Sequence, residues 1–178
     1  MVNDDKTTKG GARQLVPAMM IVLAATLLPP AFFSCSTIEC PIKNKVYCVY
    51  RNYNGEQPDS LLDTLSVWTK RKNGTDTLLL NQVAGRSTYH LPISYECPED
   101  TLFFYVAGTD NVHTLDTVWV KKEDIPHFES VDCNPSFFHH LDGVRYTRHR
   151  IDSISINHAQ VNFETTNEHF HIWFKGSN

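Results

Sequence analysis

The stretch Leu62–Leu80, LDTLSVWTKRKNGTDTLLL, decides the fold. Apolar and polar residues alternate in its first half, so that Leu65 and Val67 share one face, which is typical of a half-buried strand. Asn73-Gly74 then separates this run from a second one. Asn-Gly is the strongest short hairpin signal, because both central residues of a type I′ turn need positive φ. The stretch therefore predicts an antiparallel hairpin with such a turn.

The rest of the chain repeats this pattern of short strands between turn signals. The nearly continuous apolar run Thr101–Ala107 is expected to form a central strand that is buried on both faces. Asp142-Gly143 predicts a further turn. Many short strands with turns at fairly regular spacing predict an all-β fold, a single antiparallel β-sandwich of the Ig-like or another Greek-key type. The further predicted strands are Lys45–Tyr53, Ser87–Ile93, Val112–Lys121, Pro126–Asp132, Ser136–His140, Val144–His149, Arg150–Asn157 and Glu168–Lys175.

Ahead of these strands lies an apolar run, Leu15–Cys35, with the sequence LVPAMMIVLAATLLPPAFFSC. A basic start, an apolar run and a small residue before a cysteine are typical of a bacterial secretory signal that ends at a lipidation site. Cleavage between Ser34 and Cys35 would leave a lipid on Cys35, so membrane lipid is an expected partner. The three basic residues are Lys6, Lys9 and Arg13. The predicted segments are a signal peptide over 1–34, a lipid-anchored tether over 35–43 and a β-sandwich domain over 44–178.

An uncleaved transmembrane helix is the alternative reading of the same run, since such a helix needs about 20 predominantly apolar residues. Pro17, Pro29 and Pro30 argue against it, because proline interrupts helical hydrogen bonding. We therefore expect a lipoprotein.

Charge excludes one class of partner. The 178 residues include 16 Lys and Arg against 20 Asp and Glu, a formal net charge of −4. Nucleic-acid-binding domains carry a basic patch or stripe. This acidic balance predicts no nucleic-acid partner.

The chain has five cysteines, an odd number that needs an explanation in a secreted protein. Lipidation of Cys35 leaves four, which allow three disulfide connectivities in an oxidising compartment. Of these we favour Cys40–Cys133 together with Cys48–Cys97.

The sharpest candidate for chemistry is His169-x-His171 in the closing strand. Two histidines two residues apart on a strand project from the same face and can share one metal ion. Zinc suits imidazole with a carboxylate, and copper is the other option. The simpler interpretation is that the two histidines lie on a solvated strand face, so we first expect the protein to have no cofactor. Further candidate ligands are His127, His139, His140 and Glu168.

The sequence gives little support for a catalytic function. The sequence contains no GxSxG elbow, no HExxH and no glycine-rich phosphate loop. His127 near Glu129 or Asp132 is the one pairing that suggests acid–base chemistry. We therefore predict that the protein is not an enzyme, with a hydrolase-type activity as the alternative.

Aromatic side chains are a third candidate, as a surface for carbohydrate or protein, although sandwich interiors absorb most of their aromatics. The residues concerned are Tyr47, Tyr50, Tyr53, Trp68, Trp119 and Trp173.

Several motifs in the chain resemble an uncharacterised family of small Bacteroidetes lipoproteins, a domain-of-unknown-function family. The resemblance runs from Cys35 to the end of the chain. It rests on HFESVDCNPSFFHH (His127–His140), RIDSISIN (Arg150–Asn157), EHFHIWFK (Glu168–Lys175), ECP (Glu39–Pro41), GTDTL (Gly74–Leu78) and LPISY…PEDTLFFY (Leu91–Tyr105).

This resemblance implies a cellular location but no enzymatic activity. It implies a Bacteroidetes cell envelope, and relatives keep cysteines that match Cys40 and Cys133. Surface-exported lipoproteins there carry an acidic cluster after the lipid cysteine, whereas this chain offers only Glu39. The expected location is therefore the outer membrane, facing the periplasm. The expected role is a non-enzymatic interaction or accessory subunit, with an outer-membrane protein as a possible partner. The alternative is a metal- or small-ligand-binding module that uses the C-terminal histidine face.

Overall fold

Two β-sheets pack face to face in this computed structural model, which describes residues 45–71, 73–131 and 133–176. The described residues all belong to one compact unit. They contain no helix with the length and hydropathy to cross a bilayer. The predicted all-β sandwich is confirmed. Its strands are β1 (Tyr47–Asn54), β2 (Gln57–Pro58), β3 (Thr64–Lys70), β4 (Asp76–Val83), β5 (Thr88–Pro92), β6 (Glu99–Ala107), β7 (His113–His127), β8 (Ser136–Tyr146), β9 (Ile151–Ile156), β10 (Gln160–Val161) and β11 (Phe170–Phe174).

One sheet has six strands in the order β10-β8-β7-β6-β3-β4, all antiparallel. The other has five strands, in which β1 lies between β11 and the two short strands β2 and β5, and β9 forms the far edge. Strands β1 and β11 run parallel, with Tyr50 opposite Phe170. The sandwich is therefore not purely antiparallel, which differs from the prediction, because a sequence pattern does not show which distant strands become neighbours.

The core lies between the sheets, where the inward residues of both interdigitate. In β11 the predicted alternation is confirmed, since Phe170, Ile172 and Phe174 are buried. Tyr50 joins the two sheets: its ring stacks on Phe170 at 4.6 Å and contacts Phe104 at 5.9 Å, measured between ring centroids. Aromatic contacts of this kind contribute about 0.5–1.5 kcal/mol beyond burial.

The predicted hairpin is confirmed, but its turn is not the predicted type. Arg71 and Thr75 form the closing backbone hydrogen bond, N to O at 2.9 Å, so the loop has three residues. Gly74 has φ of +80°. The Asn73 side chain accepts a 3.0 Å hydrogen bond from the Thr75 amide. Three-residue hairpin loops typically place glycine at this left-handed position.

Three other predictions of local structure are wrong, the first being a separate strand over Pro126–Asp132, because β7 ends at His127. Asp142-Gly143 is not a turn, because β8 continues through it: Gly143 pairs with Lys121 and Leu141 with Lys122, which leaves Asp142 as the extra residue of a β-bulge. Strand β6 is central, as predicted, but only Leu102, Phe104 and Val106 are buried, while the alternate residues are half-buried. Its outer face therefore carries aromatic side chains towards solvent.

Candidate functional site

His169 is fully buried and bonded within the protein through both ring nitrogens. Its Nδ1 accepts a hydrogen bond from the Val49 amide at 3.0 Å, and its Nε2 lies 3.1 Å from the Gln160 carbonyl oxygen, to which it donates. Burial, which disfavours the imidazolium form, lowers the pKa of His169. A neutral His169 therefore ties the start of β11 to β1, and neither nitrogen has a free lone pair for a metal ion.

The other half of the predicted pair, His171, lies on the outer face of the five-stranded sheet. Its Nε2 is 3.0 Å from Glu168 Oε2. His169 and His171 therefore have different hydrogen-bond partners. This geometry does not support a zinc or copper ion shared by the two residues. Over residues 45–71, 73–131 and 133–176, no three His, Cys, Asp or Glu side chains are grouped as a metal site would require.

The remaining candidate ligands are dispersed. His139 is buried and bonds Asp124, while His140 contacts the Gln160 side chain at 2.9 Å. His127 stacks on Phe138 with ring centroids 4.2 Å apart. Of the two predicted acid–base partners of His127, Glu129 is exposed and Asp132 lies outside the described residues. That pairing stays a prediction.

The predicted Cys48–Cys97 disulfide is wrong, because both residues are free thiols. Cys48 is buried between the sheets in β1, and burial raises the pKa of its thiol. Cys97 lies in the β5–β6 loop, where its carbonyl oxygen accepts a 2.8 Å hydrogen bond from Lys122 Nζ. Cys40 lies outside the described residues, as does the predicted lipidation site Cys35. The Cys40–Cys133 pairing stays a prediction.

Two outward faces carry three of the aromatic residues predicted as a binding surface, Tyr53, Trp68 and Trp173. The first, which we call the five-strand face, consists of Arg51 and Tyr53 of β1, His171 and Trp173 of β11, and Glu168. Tyr53 donates to Glu168 Oε2 at 2.9 Å, and Arg51 forms a 3.2 Å ion pair with Glu168 Oε1. The Tyr53 ring lies 4.3 Å from His171 and 5.7 Å from Trp173, between centroids.

The second, which we call the six-strand face, consists of Trp68, Leu78, Phe103, Tyr105 and Leu115. Trp68 stacks on Phe103 at 5.8 Å and contacts Tyr105 at 6.4 Å. Strand register extends the face on both sides, because Leu78 pairs with Trp68 and Leu115 pairs with Tyr105. Leu78 and Leu115 are 55% and 45% exposed. Four neighbouring strands thus present one continuous apolar surface.

The other predicted aromatics have different roles. Tyr50 is in the core, where β-sandwiches place most of their aromatic residues. Trp119 is half-buried and lies beneath Arg145, whose guanidinium carbon is 4.8 Å from the ring centroid. Arg145 in turn bonds Glu99 at 2.8 Å.

Two buried polar clusters were not predicted from the sequence. In the first, the Asp116 carboxylate accepts backbone hydrogen bonds at the start of β9, from His149 at 2.7 Å and Ile151 at 2.8 Å. In the second, Asp124 Oδ1 bonds both Lys122 Nζ at 2.7 Å and His139 Nδ1 at 2.6 Å. One feature of the sequence could have predicted these clusters. Asp116 and Lys122 continue the inward alternation of Val118 and Val120, which places charged residues at buried positions of the strand.

The hydrogen bonds described for both clusters are made within the protein. Burial lowers the pKa of His139, so the neutral ring donates to Asp124. The carboxylate of Asp116 holds the β8–β9 connection in place. Both clusters therefore serve to satisfy groups that the fold has buried.

No curated protein and no solved structure matches this chain. A family of unknown function, DUF6452, matches residues 64–174, which include β3 to β11 and the six-strand face. This match covers more than half of the chain, which therefore belongs to the DUF6452 family of unknown function.

Proposed function

We propose that this protein is a non-enzymatic lipoprotein of a Bacteroidetes cell envelope that binds another envelope protein through the six-strand face. In this proposal Cys35 carries the lipid and the domain faces the periplasm from the outer membrane. The signal-like run before Cys35 and the odd cysteine count support the anchor.

The observation that carries the proposal is the composition of the six-strand face. Trp68, Phe103 and Tyr105 contact one another, and exposed leucines extend the surface on both sides. Contiguous exposed apolar patches on soluble domains mark interaction sites. Aromatic residues are enriched in the cores of protein–protein interfaces, where charged residues are depleted.

Polar groups border this face, as they border the rim of a typical interface. Lys70 Nζ lies 5.8 Å from the centroid of the Phe103 ring, and Tyr105 contacts His113, with 2.8 Å between the hydroxyl and Nδ1. An apolar centre with polar groups around it supports a protein partner.

Chemical crosslinking of intact cells, followed by identification of what copurifies with the lipoprotein from membranes, tests the proposal. We expect one dominant envelope protein, which is lost when Trp68→Glu replaces the centre of the face. No stoichiometric partner, or one that Trp68→Glu leaves unchanged, would refute partner binding through this surface.

The anchor is tested separately by mass spectrometry of the N-terminal peptide of the mature protein. We expect a diacylglyceryl group on Cys35, and Cys35→Ala should release the protein from membranes. A peptide that begins elsewhere and carries no lipid would contradict the anchor without affecting the partner surface.

A further inference from the structure

The five-strand face has the groups that a sugar-binding surface needs. Strand register places its side chains in two adjacent rows. Arg51 and His171 lie in one row, which ends at Ser155 of β9. Tyr53 and Trp173 lie in the next row, which ends at Ser153. The rows bring aromatic rings, a charged pair and two hydroxyls onto one outward surface.

The three rings form one cluster. Tyr53 contacts both His171 and Trp173, and the centroids of His171 and Trp173 are 6.1 Å apart. The face of an aromatic ring carries partial negative charge. It therefore attracts the weakly positive C–H bonds that a pyranose ring presents on its apolar face.

Contacts with the rest of the protein hold these rings in place before any ligand arrives. The Trp173 indole N–H donates to the Gly55 carbonyl oxygen at 2.8 Å. Glu168 accepts from Tyr53 and lies 3.0 Å from His171 Nε2, which restrains both rings. Groups that are already ordered lose little conformational entropy on binding.

Polar groups border the rings on the same outward surface. Arg51 and Glu168 form a half-exposed ion pair, and Ser155 is exposed. Arg51 pairs with Glu168 through Nη1 at 3.2 Å, and a third of the Arg51 side chain stays accessible to a ligand. Hydrogen bonds to charged groups are about twice as strong as neutral ones, and such groups commonly fix ligand hydroxyls.

The two outward faces differ in the side chains that surround their aromatic rings. The six-strand face adds exposed leucines to its aromatic residues, whereas the five-strand face adds serine hydroxyls, a guanidinium and a carboxylate. Rings bordered by polar groups suit a ligand with one apolar face and a hydroxylated edge. A flat protein surface would leave the Arg51–Glu168 pair partly desolvated at a cost.

We propose that the five-strand face binds a pyranose ring of an oligosaccharide, stacked on Trp173 and Tyr53 and hydrogen-bonded through Arg51 and Glu168. This site is separate from the proposed partner surface, because the two lie on different sheets.

Titration calorimetry of the full-length protein in detergent tests the site, with chitohexaose, cellohexaose and maltohexaose as probes. We expect at least one to bind, and Trp173→Ala to weaken that binding at least tenfold, about 1.4 kcal/mol. Ser155→Arg, at an exposed position, should also weaken it by blocking the platform without disturbing the core. Trp68→Ala on the six-strand face is the matched control and should leave sugar binding unchanged.

Binding of none of the three sugars at millimolar concentration would overturn the proposal. So would binding that survives both Trp173→Ala and Ser155→Arg, or binding that is lost only in Trp68→Ala. A sugar-binding protein with no protein partner would contradict the proposed function alone, so the two proposals fail separately.

Discussion

Asp116 of β7 accepts a 2.8 Å hydrogen bond from the backbone amide of Ile151, the first residue of β9. The same carboxylate accepts from the amide of Arg150 and from the Thr147 hydroxyl, both at 2.7 Å. A single buried acid thus fixes the β8–β9 connection, one of the places where the chain passes from the six-stranded to the five-stranded sheet.

We therefore expect Asp116→Asn to lower the free energy of unfolding by about 3 kcal/mol, because a neutral amide turns one acceptor into a donor that faces other donors. Urea denaturation followed by tryptophan fluorescence measures this loss. Asp152→Asn, at an exposed carboxylate 3.6 Å from Arg148, is the control and should change stability by less than about 0.5 kcal/mol. Equal effects of the two variants would contradict the role of Asp116.

Asp116 also predicts the direction of acid sensitivity. Burial alone would raise its pKa, but hydrogen bonds from Ile151, His149, Thr147 and Arg150 outweigh burial and hold the pKa below the usual value. A carboxyl with a lower pKa in the folded state stabilises the fold above its unfolded pKa of about 3.9, and this contribution is lost as pH falls through the folded pKa. Stability measured from pH 6 down to pH 2 should fall less steeply in Asp116→Asn than in the parent.

The cluster of Lys122, Asp124 and His139 predicts a non-additive pair of variants. Asp124→Asn removes the carboxylate charge that pairs with the buried Lys122 ammonium, so we expect a loss of about 3–5 kcal/mol. Lys122→Met together with Asp124→Asn removes that uncompensated charge and should be more stable than Asp124→Asn alone. A double-mutant cycle in urea measures the coupling. Additive losses would show that the ion pair does not hold Lys122.

The two free thiols should differ in reactivity. Cys97 is half-exposed, whereas Cys48 is buried and burial raises its pKa, which suppresses the reactive thiolate. Without reductant, we expect a maleimide to modify Cys97 in the native protein and Cys48 only after unfolding. Peptide mass spectrometry identifies each site. A protein in which neither residue reacts even in guanidinium would restore the Cys48–Cys97 disulfide.

Local signals in the sequence predicted local structure well. The hairpin at Asn73-Gly74 and the inward set Phe170, Ile172 and Phe174 depend on neighbours in the chain, and both were predicted correctly. The bulge at Asp142 was not, because it exists only where the long β7 pairs with β8. Turn residues look alike whether the chain reverses or continues.

Long-range contacts explain what the sequence could not show about the candidate sites. His169 and His171 have the spacing of a metal pair, but the Val49 amide and the Gln160 carbonyl engage the first of them. No alternation pattern contains that information. The two outward faces also depend on which strands are neighbours, which places Tyr53 beside Trp173 although they are far apart in sequence.

The central claim is that the six-strand face contacts a partner protein, and site-specific photocrosslinking in cells tests it most directly. A photoreactive amino acid at Leu78, in the middle of β4, is compared with one at Gln57, an exposed position in the five-stranded sheet. We expect one discrete crosslinked species from position 78 and none from position 57, and we expect Trp68→Glu to abolish it. No crosslink from position 78, or equal crosslinking from both positions, would contradict the claim.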